Sequence, residues 1–406
     1  MSNYFNIDKE KIHSWIVISF IFLFPFVVLL NYFFNLRNGE ISQFFRFFNL
    51  AIALLIIINA FYNILKKKSL LISISTAFML CFWLLYLFRL IIDLEIHNLY
   101  SLTVYKKTYY YLFTIGVTFL PMVATLCIQK INFEYLIKQL KILLVVFNVI
   151  IFLLYLKTLI IDNEIVYRFW LKRGDFEFLN PISIATYASL LIILIHRSIF
   201  KSYYNVLLLI LCSINLLVCG SRGPLLILAV VLVFSLGYNF KFFFKSWNDL
   251  IIKFTLGFFF SCFMVFYFGS TITSRLTAAS TDDSTQIRYG VISNVLDQFL
   301  NEPVLGSHFL VVKSKLYSHN LILDIFLATG ILGFLMFLPI LIKFFNAFLM
   351  NKFNSSFLTI VVFFFLCSMF SGSVYSSYEF FISFSLLIGN FNKLDTISGK
   401  KDQFQL

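Results

Sequence analysis

His319 and a set of arginines are the residues whose types and spacing fit chemistry. Tyr317-Ser318-His319-Asn320 stands where a long polar stretch runs into an apolar one, and Asp324 follows about one helical turn later. An imidazole titrates close to neutral pH, which suits a general base, and Asn320 and Asp324 are spaced to orient it. Arg222 lies in Cys219-Gly220-Ser221-Arg222-Gly223-Pro224, between two apolar runs with almost no loop. Gly220 and Gly223 permit a tight reversal, and Pro224 suits the first turn of the next helix. Arg222 is thereby expected at a helix N-terminus, where free N–H groups and the helix dipole favour an anion. Arg288 opens an amphipathic stretch just after Asp282, Asp283, Ser284, Thr285 and Gln286. Singly, each has a plainer reading: an arginine reaching lipid headgroups, a solvated loop cation, an interfacial histidine satisfied by water. His97-Asn98 repeats the dipeptide without the surrounding pattern, and His308 shows no partner of that kind in the sequence.

The elements that must position these residues follow from composition. Of the 406 residues, 60% are hydrophobic, 13% are charged and 55 are Phe. The charged share is about half that of ordinary globular domains, which excludes a soluble enzyme or a disordered chain. The apolar runs are long and continuous, unlike the alternating segments of about 10 residues in a membrane β-barrel. The expected fold is an all-α polytopic membrane protein of about twelve transmembrane helices. Spans are expected at 14–34, 47–65, 70–92, 109–129, 142–161, 181–199, 204–220, 223–240, 251–269, 320–345, 356–372 and 376–392. The first run is too long for a signal peptide and lacks a small-residue cleavage site, so it is read as the first span. The six cysteines fall in or beside apolar runs without CxxC pairing, which predicts neither a disulfide framework nor structural zinc.

The formal charge is +13. In a membrane protein such an excess follows the positive-inside bias rather than nucleic acid. With the N-terminus inside, most cations fall on inner segments, Lys66, Lys67 and Lys68 most clearly, and twelve spans return the C-terminus to the cytoplasm. Every arginine except Arg197 then falls outside or at the outer end of a span: Arg37, Arg46, Arg89, Arg168, Arg173, Arg222, Arg275 and Arg288. Arginine forms planar, bidentate bonds to phosphate and carboxylate, so an arginine-rich outer face points to an anionic ligand. The chain reads as one membrane domain, 1–406, with a long outer loop at 270–318 and a second outer loop at 162–180. The second carries Arg168 and Arg173. Within the first, Ile287 to Phe299 has apolar residues at helical spacing (Val291, Val295, Leu296, Phe299), which predicts a helix on the membrane surface. No Walker loop, GxGxxG or HExxH occurs, and intramembrane acids are scarce, which leaves ATP-driven transport, zinc proteolysis and proton-coupled transport without support.

The order of these features adds to each of them. A Ser-Arg-Gly turn precedes a span; one more span and a long outer loop with an arginine follow; then come Asn301-Glu302-Pro303-Val304-Leu305-Gly306, His319-Asn320 and Gly330-Ile331-Leu332-Gly333. This resembles the bacterial O-antigen polymerase and O-antigen ligase superfamily. The resemblance in motifs covers about Ser221 to Gly333. Two departures stand out: the usual Pro-x-x-Gly-x-Gly is Pro303 to Gly306 followed by Ser307, and the aromatic after the loop arginine is Tyr289. The resemblance implies a GT-C-like, metal-independent, inverting glycosyltransferase of the bacterial inner membrane, with its site in the periplasm, no cofactor and no metal. The donor would be a glycan on undecaprenyl diphosphate. Arg222 and Arg288 match family arginines that hold the diphosphate, and His319 matches the base for the acceptor hydroxyl. Substrate contacts are expected from Arg275, Asn320, Tyr317, Arg168 and Arg173, with Asp324 in support. Partners would be lipid-linked repeat units, the bilayer, a chain-length regulator and a flippase, with no nucleic acid.

Polymerase is the leading expectation; a ligase with lipid A–core as acceptor shares the donor site. A polysaccharide flippase would line a central cavity with cations through several spans, whereas here they gather at outer loops. A reporter active only outside the cytoplasm is expected to be active when fused after Thr281 and silent after Lys67, and the reverse pattern would overturn this topology.

Overall fold

The computed structural model describes residues 8–36, 40–67, 74–103, 106–128, 131–161, 169–173, 176–196, 202–238, 283–349 and 356–389. The expected span 251–269 and residues Arg37, Arg168, Arg197 and Arg275 lie outside them. The other expected spans all overlap helices. Ile41–Lys66, Ile74–Glu95, Lys107–Cys127, Phe133–Ile160 and Leu321–Asn346 are long and apolar enough to cross a membrane. Lys9–Ile21 and Phe24–Phe33 form a further candidate, bent by 61°. Pro181–Ile195, Tyr203–Cys219, Ser356–Ser371 and Tyr378–Gly389 are apolar but shorter. A helix satisfies its backbone internally, which a hydrocarbon environment requires. It needs no polar outer face there, and Phe44, Leu55, Ile58 and Phe61 on helix Glu40–Lys67 are all more than half exposed.

The exception to the all-α expectation among the described residues is a two-stranded antiparallel hairpin, Leu171–Arg173 with Phe176–Leu179. It falls within the polar loop 162–180 that the sequence places outside.

Contacts divide the chain into two compact units, Met1–Leu140 with Gly290–Leu406, and Lys141–Tyr289. In the first, helix Leu321–Leu349 packs along helix Ile74–Glu95. Its core is aromatic: the Phe82 ring lies 5.2 Å from that of Phe337, and Trp83 meets Phe381 edge-on at 4.9 Å. In the second, helix Pro181–Ile195 packs against helices Tyr203–Cys219 and Arg222–Tyr238. There a buried amide pair joins helices Phe133–Ile161 and Tyr203–Cys219. The Asn215 side chain donates to the Asn148 backbone oxygen at 2.9 Å and to its Oδ1 at 3.1 Å. Amides in an apolar setting bond to one another because solvation is denied to them.

The feature that shapes the first unit is a break in helix Leu321–Leu349. Gly330 has φ 64 and ψ −160, outside the helical range. The break frees backbone groups inside a span, where an unpaired group costs several kcal/mol, on the order of the transfer penalty for a bare amide. The loop after helix Asp283–Asn301 satisfies them. Ile331 N–H donates to Pro303 O at 2.8 Å and Leu332 N–H to Val304 O at 3.1 Å. Ser307 N–H donates to Leu327 O at 2.8 Å. Arg89 completes the set: its Nε donates to Ala328 O at 3.2 Å and an Nη to Gly306 O at 2.7 Å. Arg89 thus serves the backbone, which corrects its reading as one of the arginines facing an anionic ligand.

Both glycines at the crossing are required by geometry. A Cβ on Gly330 would stand 2.4 Å from Val304 O, and one on Gly306 (φ +70) would stand 2.6 Å from Leu327 O and Ala328 C. Side chains also secure the loop. Gln298 donates to the Ser307 hydroxyl at 2.8 Å and accepts from Val312 N–H at 3.1 Å.

Helix Asp283–Asn301 extends beyond the expected 287–299. Its apolar face is spent on protein: Val291 and Val295 are buried with Val311 and Leu327, and Phe299 packs on Phe326 at 5.3 Å. Leu296, expected on that face, is 48% exposed. Part of the apolar face of the helix expected on the membrane surface is thus taken by protein, while Ile287, Ile292 and Leu300 stay exposed with Leu296.

Gly330→Ala and Gly306→Ala should each lower the thermal midpoint of the purified protein. A left-handed backbone costs an L-residue about 1–2 kcal/mol, before any clash. Gly290→Ala is the reference, because a Cβ there meets nothing within 4 Å and alanine favours the helix.

Candidate active site

His319 stands at the start of helix Leu321–Leu349 with φ 57, a left-handed conformation that non-glycine residues seldom adopt. Three neighbours hold the backbone there. Asn320 caps the helix: its Oδ1 accepts from Ile322 N–H at 3.0 Å and Leu323 N–H at 3.1 Å. Its amide donates to Met369 O at 2.9 Å, anchoring the cap to helix Ser356–Ser371. Ser318 donates to Asn320 O at 2.8 Å and to Asp324 Oδ1 at 3.2 Å. Asp324 is fully buried, and its other oxygen accepts from Val374 N–H at 2.8 Å. Asn320 and Asp324 therefore act on the backbone around His319, tying the loop to the segment that follows helix Ser356–Ser371. A buried carboxylate is tolerated here because donors meet both its oxygens.

The imidazole is half-buried and lies 4.1 Å from the Tyr317 ring, centroid to centroid. Tyr317 leans on Tyr375 at 6.2 Å, Tyr375 on Tyr110 at 5.6 Å, and Tyr110 on Phe309 at 5.1 Å. Tyr375, Tyr110 and Phe309 are buried, so this row is packing that supports the half-buried Tyr317 beside the imidazole. Asn320 and Asp324, expected to orient the imidazole, instead bond the backbone on either side of His319 and the Ser318 hydroxyl.

Arg222 and Arg288 belong to the second unit. Arg222 opens helix Arg222–Tyr238 and is half-buried. The reversal before it is made as the glycines predict: Gly220 is left-handed at φ 55, and its N–H donates to Leu217 O at 2.8 Å. The helix is held by Ser189, whose hydroxyl donates to Pro224 O at 3.4 Å. The second outer loop meets the same end of this unit. Phe169 N–H donates to Val218 O at 3.2 Å, and the buried Phe169 ring packs edge-on to Tyr155 at 5.7 Å. Arg173 ends the first hairpin strand. Arg288 lies in the first turns of helix Asp283–Asn301 and is exposed. Arg168 and Arg275 lie outside the described residues.

Other features of the sequence reading change. Arg46 is not a free outer cation: its guanidinium sits 4.3 Å from the Phe113 ring centroid and 4.9 Å from that of Phe24. His308, which lacked a partner in the sequence, has its Nδ1 2.8 Å from Asp93 Oδ1. His97 lies edge-on to the His308 ring at 5.1 Å, so it is no neutral counterpart of His319. A buried acid four residues before a histidine at the end of a span was the available signal for this cluster.

Residues 207–338 match the family model described as O-antigen ligase. The match supports the O-antigen polymerase and ligase superfamily, and it contains Arg222, Arg288, His319 and the Gly330 break. No curated protein and no solved structure gives a match.

Asp324→Ala removes both acceptors and leaves the buried Val374 N–H without its partner. It should lower stability by about 1–3 kcal/mol, the cost of an unmet buried group. His319→Gly, which relieves the left-handed backbone, should fold at least as stably as the parent. Thermal unfolding of both purified variants checks the pair.

Proposed function

We propose that the chain is an O-antigen polymerase of the inner membrane with a periplasmic site. It moves the growing glycan from undecaprenyl diphosphate to the non-reducing end of a new lipid-linked repeat. The observation that carries this reading is His319, a residue held in a left-handed backbone by Asn320, Ser318 and Asp324 within the segment that matches the family model. Strain that the surroundings enforce marks functional positions.

In this reading the His319 imidazole accepts the proton of the acceptor hydroxyl. That oxygen attacks the anomeric carbon of the donor sugar, the bond from that carbon to the diphosphate oxygen breaks, and the configuration inverts. A sugar hydroxyl is a poor nucleophile at neutral pH, so a base or positioning group is needed. The leaving diphosphate gathers negative charge. Arg222 and Arg288 supply charge-assisted bonds to it, so that the step needs no metal. Tyr317 and Asn320 line the acceptor side, and Arg168, Arg173 and Arg275 are substrate contacts. A chain-length regulator and a flippase are the partners this role implies.

The ligase reading has one observation in its favour, the description of the matching family model. It differs in the acceptor, lipid A–core, and not in the donor chemistry.

Polymer synthesis in vitro, from purified protein and lipid-linked repeats, tests the assignment. His319→Ala should abolish product while the protein remains at its normal level. Arg222→Lys and Arg288→Lys keep the charge but lose the planar fork, and each should slow synthesis roughly 10- to 100-fold, from the 1.5–3 kcal/mol that a bond to a charged group is worth. Arg197→Lys, on an inner segment, is the reference and should be normal. Full activity in both arginine variants would remove the diphosphate role, since a side chain that only reaches headgroups is replaced freely by lysine.

A further inference from the structure

The geometry points to a divalent transition-metal site of the zinc class formed by Asp93, His97 and His308, which clips the loop carrying Pro303 to His308 onto the end of helix Ile74–Glu95. Each of the three residues offers one ligand atom, and these atoms all lie within 4.8 Å of one another. Asp93 lies in the last turn of helix Ile74–Glu95 and His97 two residues past its end, where its N–H folds back onto Ile92 O at 3.2 Å, while His308 arrives from the distant loop. Two imidazoles and a carboxylate are a donor set that zinc and its neighbours favour over calcium or magnesium. Three protein ligands would leave a fourth position to water.

The surroundings are those of a built site. Asp93 is fully buried, and its Oδ2 is fixed by Phe309 N–H at 2.7 Å, which leaves Oδ1 directed at His308. Such outer bonds orient first-shell ligands. His308 follows the loop that Gly306, Arg89 and Gln298 hold in place, so its backbone is set by contacts other than the ion. His97 is exposed and can rotate to close the set. Zinc ligands around one ion stand roughly 3.3 Å apart at bond lengths near 2.0–2.1 Å, so the His308–Asp93 pair at 2.8 Å would open slightly while the set, within 4.8 Å, closes. Arg89, one turn before Asp93, is committed to the carbonyls of Leu305, Gly306 and Ala328.

The clip stands apart from the glycosyl-transfer chemistry and rests on its own geometry. Its test is metal content and affinity, measured on the full chain in detergent. The purified protein, stripped with chelator, is dialysed against zinc and analysed by elemental mass spectrometry, with affinity from competition against a chromophoric chelator. About one zinc per chain is expected. His97→Ala and His308→Ala should each weaken binding by more than the roughly 10- to 100-fold that loss of an outer-shell partner costs. His97 is exposed, so its removal should leave the folded yield unchanged, and Co2+ absorption should shift when it is lost. Absence of bound zinc in the parent, or affinity in both variants equal to that of the parent, would overturn the site.

Discussion

Two backbones meet at Gly306 and Gly330, and much of the first unit is organised around that approach. A helix that crosses hydrocarbon cannot break without leaving N–H and C=O groups exposed. Here the loop 303–307 and the Arg89 guanidinium take up those groups from the side. The loop in turn gains a fixed path through a region where an isolated loop would have none. Because Gly330 opens the helix and Gly306 lets the loop come close, neither feature is stable without the other.

That crossing has consequences at both ends of the loop. On one side it fixes the chain leading to His308, Phe309 and the buried Asp93. On the other, Gln298 and the packing of Val311 against Val291 and Val295 hold the segment that leads to Tyr317 and His319. The His319 backbone is then forced left-handed by the Asn320 cap and the Ser318–Asp324 bonds. In the role proposed for His319, such restraint would meet the cost of orienting a base in folding rather than at each turnover. The motif around Pro303 to Gly306 and Gly330 to Gly333 is accordingly scaffolding for the site rather than a set of ligands.

How much of this was legible in the sequence depends on the range of the interaction. Among the described residues, long apolar runs gave helices where they were expected, because periodicity and hydrophobicity act locally. The Gly220 reversal before Arg222 and the cluster around His319 were legible for the same reason. The hairpin at 171–179 was not, since strands of three and four residues are too short for their alternation (Phe176-Glu177-Phe178) to stand out. Arg89, Arg46 and His308 were misjudged for another reason. Arg89 meets carbonyls more than two hundred residues away, Arg46 lies between two rings from other helices, and His308 meets Asp93 from a distant helix. An arginine in a sequence displays its charge and not its partners. Buried guanidinium groups in membrane proteins are often spent on backbone oxygens or aromatic faces, and only the fold distinguishes these from arginines left for a substrate.

The central claim is that this chain extends a lipid-linked glycan. The lipopolysaccharide of a strain lacking the chain, resolved on a gel, tests it most directly. Polymerase function predicts core bearing a single repeat unit, with the ladder of longer chains lost. Bare core would instead assign the ligase role, and an unchanged ladder would contradict a role for this protein in either step.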